Sequence, residues 1–266
     1  MSTTVDPAER AHVSAAASTA EPLLKLRGIS KRFGSVEALR DVDLDVPGGL
    51  VTALAGDNGA GKSVLIKTIA GIHPPDSGTI WWEGRPVELR RPNDATALGI
   101  ATVYQDLALC DNLDIAANMY LGRERGRFGI IDDPAMDAGT KKTLADLGVT
   151  TVRSIHQRVG TLSGGQRQAI AIAKAMLGAA RLVIMDEPTA ALGVIQTRVV
   201  LDLVRRLADQ GVAVILISHN LNDVFAVADR IAVLHLGHMA AQLVTSETDA
   251  QTVVQLMTTG RRQGDG

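Results

Sequence analysis

Gly56-Asp57-Asn58-Gly59-Ala60-Gly61-Lys62-Ser63 fits the spacing G-x-x-x-x-G-K-[ST] in full, the pattern of a loop that wraps a chain of phosphates. Its glycines keep side chains out of the way, so backbone N–H groups approach the anion. The N-terminus of the helix that follows offers it about half a positive charge. In such a loop Lys62 contacts the β- and γ-phosphates of a nucleotide, and the Ser63 hydroxyl coordinates Mg²⁺. Leu182-Val183-Ile184-Met185-Asp186-Glu187 supplies a partner: a buried apolar strand with two carboxylates at its C-terminal end, where open α/β sheets bind ligands. Asp186 is suited to support the metal. Glu187 is suited to act as general base on water, a role worth about 10²–10⁴-fold in rate. A second glycine-rich turn, Leu162-Ser163-Gly164-Gly165-Gln166, opens another apolar helix and forms an anion nest from Ser163 and the amides that follow it. One nucleotide needs one cradle. Two cradles in one chain imply that the second serves a phosphate held by something else.

These residues need elements to carry them. Leu23–Leu26, Ala38–Val46 and Val51–Ala55 read as strands, with Pro47-Gly48-Gly49 as the turn before the third. Val51–Ala55 runs into the phosphate loop and Val64–Ala70 continues as a helix ended by Gly71, the strand–loop–helix context the motif requires. A hairpin is expected around Glu83-Gly84. From about 106 to 160 strand patterns vanish, and Asn112–Leu121 and Pro134–Leu147 read as short helices, a helical insertion in an α/β frame. The helix Gln166–Leu177, the strand Leu182–Asp186, the helix Gln196–Gln210 with Val199, Val200, Leu203, Val204 and Leu207 on one face, and the strand Val212–Ser218 follow. Apolar strands alternating with helices predict a mostly parallel sheet covered on both faces. Ser246-Glu247-Thr248-Asp249 resembles a capping box for a last helix ending near Gly260.

Composition narrows the function. Lys and Arg number 27 against 29 Asp and Glu, a formal charge of −2, so no overall basic field attracts nucleic acid. Cys110 is the single cysteine, which excludes an internal disulfide. No apolar run approaches the roughly 18 residues of a membrane span, so any membrane role is expected to come through a partner. Residues 1–22 read as a disordered tail and 261–266 as a flexible one.

The phosphate loop, the Asp-Glu strand end, Leu-Ser-Gly-Gly-Gln and the Ile217-Ser218-His219 strand end stand in the order of the ATP-binding cassette (ABC) ATPases, which the chain resembles over residues 23–260. The resemblance implies a P-loop NTPase (RecA-like) core with a parallel sheet, an N-terminal antiparallel β subdomain and an inserted α-helical subdomain. It also implies further roles. Gln105, after the strand Ile100–Tyr104, is similar to the glutamine that senses Mg²⁺ and the attacking water; His219 to the histidine on the γ-phosphate; Phe33 to the aromatic that stacks on adenine. In the family the Ser163–Gln166 nest closes over ATP held by a second cassette, so two chains pair head to tail around two ATPs.

One departure stands out. Gly193 occupies a position where most cassettes place an aspartate, in the loop through which the two sites communicate. The same feature, with the stretch from Gly99 to Leu113 and on through Asn118 to Glu124, resembles the single-cassette ATPases of monosaccharide (fructose- or ribose-type) importers. That subgroup implies transmembrane permease subunits, a periplasmic or lipid-anchored solute-binding protein, and a peripheral place on the cytoplasmic face of the membrane. Two other readings share the motifs: a non-transport cassette acting on DNA ends or ribosomes, and a regulatory module that binds ATP without hydrolysing it. The absence of coiled-coil heptads and of a second cassette speaks against the first, and Glu187 against the second.

Overall fold

The computed structural model describes residues 21–127 and 130–261, so nearly all of the expected tails, 1–22 and 261–266, lie outside the described residues. Strands β1 (Leu24–Phe33) and β2 (Val36–Val46) open the described chain, followed by β3 (Val51–Ala55) and α1 (Lys62–Ile69). The hairpin β4 (Ser77–Trp82) and β5 (Arg85–Val87), the short helix α2 (Pro92–Ala97) and β6 (Ile100–Val103) come next. Then follow α3 (Ile115–Tyr120), the small strands β7 (Gly126–Arg127) and β8 (Ile130–Ile131), α4 (Asp133–Asp146) and α5 (Gly164–Met176). The chain continues through β9 (Leu182–Asp186), α6 (Val194–Asp209), β10 (Ala213–Ile217), α7 (Leu221–Val227), β11 (Arg230–His235), β12 (His238–Val244) and α8 (Ala250–Thr259).

The apolar runs dictate the layers. Successive side chains of a strand point to opposite faces, so a strand with no polar side chain must be covered on both. On β10, Ala213, Ile215 and Ile217 pack into one core, and Val214 and Leu216 into the other. On β9, Leu182 and Ile184 divide from Val183 and Met185 in the same way. The first core joins this face to α1 (Leu65, Ile66, Ile69) and to an antiparallel sheet of order β2-β1-β4-β5. The second core joins the other face to α5, α6 and the helices of the 115–146 segment. The central sheet has the order β12-β11-β3-β10-β9-β6, parallel throughout except for β12. The expected mostly parallel sheet is therefore present, as is the hairpin at Glu83-Gly84.

Several expectations differ from what forms. β1 runs on to Phe33, beyond the expected end at Leu26, because register shifts from Leu26 onward and Gly28 at φ +64° break the alternation that marks a strand in sequence. The pair β7–β8 sits inside the stretch expected to lack strands; two residues a side are too few to show a period. Val199 is 40% exposed on α6, and Leu201 and Ala208 take part in its buried face. The last helix is not capped by a box from Ser246. Thr245–Glu247 form a 3₁₀ turn, and Asp249 caps α8 alone, accepting from the Thr252 amide at 2.7 Å.

The central row is pinned at its N-terminal edge by Asp229, just before β11. Its Oδ2 accepts from the Val51 amide and from Arg205 Nη1, each at 2.8 Å, while Arg205 Nη1 also donates to the Val227 carbonyl. The two side chains are 16% (Arg205) and 10% (Asp229) exposed, so removing Asp229 leaves Arg205 with only the exposed Asp209, at 3.3 Å, as its counter-charge. Asp229→Ala is expected to cost about 3 kcal/mol, read as a lower urea midpoint with an unchanged denaturant slope.

Candidate functional site

The register of the sheet explains why distant motifs meet. Ile217 of β10 stands opposite Leu54 of β3 on one side and Asp186 of β9 on the other. The phosphate loop after β3 and the carboxylates ending β9 are thus two strands apart, about 10 Å at the usual spacing, with the end of β10 between them. A cleft of about 370 Å³ opens there, within the range of small-molecule sites. Residues 58–63, Asp186, Glu187 and Ile217 line it. So do Val36, Glu37 and Ala38 of β2 and the β11–β12 turn at Leu236-Gly237, none of which sequence motifs single out.

The loop fits against this wall only as glycine. A Cβ on Gly56 would lie 2.4 Å from the Leu234 carbonyl oxygen, and one on Gly61, at φ +104°, would lie 2.7 Å from that of Ala38. The Gly237 amide donates to the Ala60 carbonyl at 3.0 Å and holds the turn against the loop. Among the described residues, the amides of Gly59, Gly61, Lys62 and Ser63 donate to no protein acceptor. Such a row of unpaired donors at a helix N-terminus is a cradle for an anion.

Charge concentrates at the floor of the cleft. Lys62 Nζ donates to the carbonyls of Gly56 at 2.6 Å and Asp57 at 3.0 Å. Burial pushes the Lys62 ammonium below its ordinary pKa, against the pull of Glu187, Asp57 and Asp186. Burial, and then the neighbouring Glu187, push the Asp186 carboxyl above its own. A half-buried carboxylate held up by desolvation and a like charge fits a divalent cation, which neutralises both carboxylates. Among the described residues no three His, Cys, Asp or Glu gather as a self-sufficient metal site. The Ser63 hydroxyl and the Asp186 carboxylate are hard oxygen donors of the kind that would suit Mg²⁺.

The other predicted residues are placed less uniformly. Glu187 Oε1 lies 3.1 Å from His219 Nδ1. Gln105 is exposed and lies two residues past the end of β6, not at the end of a strand reaching Tyr104; Val103 pairs with Met185, so the register carries Gln105 toward the level of Glu187. Phe33 ends β1, 43% exposed and edge-on to His73 at 5.2 Å, and does not line the cleft. Nor do Gln105 and His219.

The turn at Ser163 opens α5 and lies outside the cleft. Ser163 caps α5: its hydroxyl accepts from the Gln166 amide, while Gln166 Oε1 accepts from the Ser163 amide at 2.9 Å. Gln166 Nε2 donates to the Thr151 carbonyl at 2.6 Å, so both ends of this side chain build the turn. Gly165 lets α6 approach, since a Cβ there would lie 3.0 Å from Gln196 Cβ. A Cβ on Gly193 would meet nothing within 4 Å, so an aspartate would fit at that position.

A model of the ABC transporter family matches residues 39–190, spanning the phosphate loop, the Ser163 turn and the Asp186-Glu187 strand end. The chain belongs to the ABC transporter family. Among similar ABC proteins is the fructose import ATP-binding protein FrcA of Rhizobium meliloti, 46% identical over 90% of this chain and 94% of its own. The xylose/arabinose import ATP-binding protein XylG of Sulfolobus acidocaldarius is 44% identical over 89% of this chain and 94% of its own. The ribose import ATP-binding protein RbsA 1 of Rubrobacter xylanophilus is 43% identical over 89% of this chain but only 47% of its own length. A solved nucleotide-free ATP-binding cassette from an ABC transporter superposes with a TM-score of 0.77 at 24% identity, over 88% of this chain and 98% of its own; this ABC cassette shares the fold.

The raised pKa of Asp186 has a consequence for stability. Because its folded-state value lies above the ordinary 3.8, the carboxyl costs the fold nothing while protonated and its full penalty once pH has risen past the raised value. Asp186→Asn is therefore expected to raise the Tm of the ligand-free protein at pH 7. That gain should shrink as pH falls toward 3.8, and the variant should lose the further rise in Tm that Mg²⁺ adds to ATP.

Proposed function

We propose that this chain is the ATP-hydrolysing subunit of an importer, coupling ATP binding and hydrolysis to uptake of a simple sugar through separate permease subunits. The observation that carries the reading is the cleft at the ends of β3 and β9, where an anion cradle and two carboxylates face each other. Lys62 and the free amides of the loop hold the β- and γ-phosphates. Glu187 takes a proton from the attacking water, and His219, whose Nδ1 lies 3.1 Å from its Oε1, is assigned to the γ-phosphate. Mg²⁺ on Ser63 and Asp186 supplies neutralisation of phosphate charge when bound. Gln105, at the mouth of the same row of strand ends, senses that region, and Phe33 offers its exposed face to adenine.

The Ser163–Gly165 turn lies outside its own cleft, which supports pairing with a second copy whose nucleotide it covers. Among the described residues no helix is long and apolar enough to cross a membrane, in keeping with permease subunits as separate chains. A cavity of about 270 Å³, lined by Ile100, Tyr104, Leu107, Arg123 and Lys174, opens on the Gly99–Glu124 stretch and suits such a contact. The sugar assignment follows the relatives, which are named as import ATP-binding proteins for fructose, for xylose and arabinose, and for ribose. A solute-binding protein that delivers the sugar, and a place on the cytoplasmic face of the membrane, complete the reading.

Glu187→Gln is expected to keep ATP binding, cut turnover by at least the roughly 10²-fold due to a general base, and accumulate an ATP-bound dimer by scattering. Wild-type turnover in that variant would remove the base from this site. Lys62→Ala should weaken ATP binding itself by titration. Copurification with permease subunits from membranes tests the transport reading, and a purely soluble partner set would overturn it.

A further inference from the structure

Glu187 is held in an uncommon backbone shape. It lies at φ +50° and Ala191, four residues on, at φ +59°, both left-handed conformations that non-glycine residues keep only where the surroundings over-determine them. Two ties constrain this loop. The Glu187 amide donates to the Ile217 carbonyl at 3.0 Å, fixing the start of the loop to the end of β10. Two residues further, Thr189 Oγ1 donates to Asp223 Oδ2 at 2.7 Å.

Asp223 is only 7% exposed and stands in the first turn of α7, the helix that follows His219. That helix is itself anchored, since Asn220 Oδ1 caps it by accepting from the Asn222 amide at 3.0 Å. The loop bearing Glu187 and the loop bearing His219 are thus joined on both sides of their own contact at 3.1 Å. A buried carboxylate bonded to a hydroxyl is costly unless satisfied, so Asp223 pulls Thr189 into one position.

We propose that Thr189 and Asp223 form a positioning pair that sets the Glu187 carboxylate and His219 in register with the attacking water. Neither residue touches substrate. The inference rests on the reading of Glu187 as general base. Displacing a catalytic group by an ångström costs about 10²-fold in rate, so loss of the tie should be read in kcat and not in nucleotide affinity.

The test measures kcat per nucleotide-binding site and ATP Kd on the full chain carrying Thr189→Val, Thr189→Ser, or Thr189→Val with Asp223→Leu. Thr189→Val keeps the shape of the side chain without the hydroxyl and should lower kcat about 10- to 100-fold with Kd unchanged. Thr189→Ser keeps the donor and should restore turnover to near the wild-type rate. The double variant removes both polar partners, leaves no unpaired buried carboxylate, and should lose no more than Thr189→Val alone. Wild-type kcat in either variant lacking the hydroxyl, an equal loss in Thr189→Ser, or a loss confined to Kd would overturn the proposal. Glu187→Gln, measured alongside, separates the two levels. If it abolishes turnover while Thr189→Val does not, only the positioning pair falls; if it turns over normally, the base assignment falls and the pair with it.

Discussion

Everything at the site hangs on three strands that carry almost no polar side chains and must be covered on both faces. β3, β9 and β10 meet that constraint by lying side by side and parallel, between the antiparallel sheet on one face and the helices on the other. Parallel strands bring all their C-terminal ends to one edge. The phosphate loop, the carboxylate pair and the histidine then arrive in one row because the sheet has no other way to be buried.

At that edge the economy of the core reverses. The strand interiors hold apolar residues, while just beyond them stand Lys62, Asp186 and Glu187, partly withdrawn from water. Burial lowers the affinity of Lys62 for its proton and raises that of Asp186, so the ligand-free arrangement is electrostatically uncomfortable. A phosphate chain with a cation would relieve both at once. Binding energy at such a site is largely the release of desolvation already imposed by the fold.

The two glycine-rich turns show the same chemistry serving different ends. Around residues 56–63 the glycines permit close approach to Leu234 and Ala38, and the loop that lines the cleft keeps unpaired amides. At the second turn Ser163 and Gln166 satisfy one another, and Gln166 also holds the Thr151 carbonyl. That turn is a rigid platform carried by α5 and braced by α6, away from the cleft its own chain provides.

Local chemistry was legible in the sequence wherever a short pattern demands a fixed shape. The phosphate loop at 56–63, the glycine-rich turn at Ser163, the carboxylates after a buried strand and the hairpin at Glu83-Gly84 all announce themselves, because glycine placement and unbroken apolar runs leave few conformations open. The pieces that close the cleft did not. Val36, Leu236 and Gly237 are ordinary strand-end and turn residues that acquire a role only when β2 and the β11–β12 turn fold against the loop. The length of β1 was hidden by its bulges. The strand order that sets β10 between β3 and β9, the left-handed backbone of Glu187 and the reach of Asp223 to Thr189 across 34 residues are tertiary decisions. Sequence spacing states which groups exist; only pairing and burial state which of them share a neighbourhood, because those depend on contacts between segments that no local pattern records.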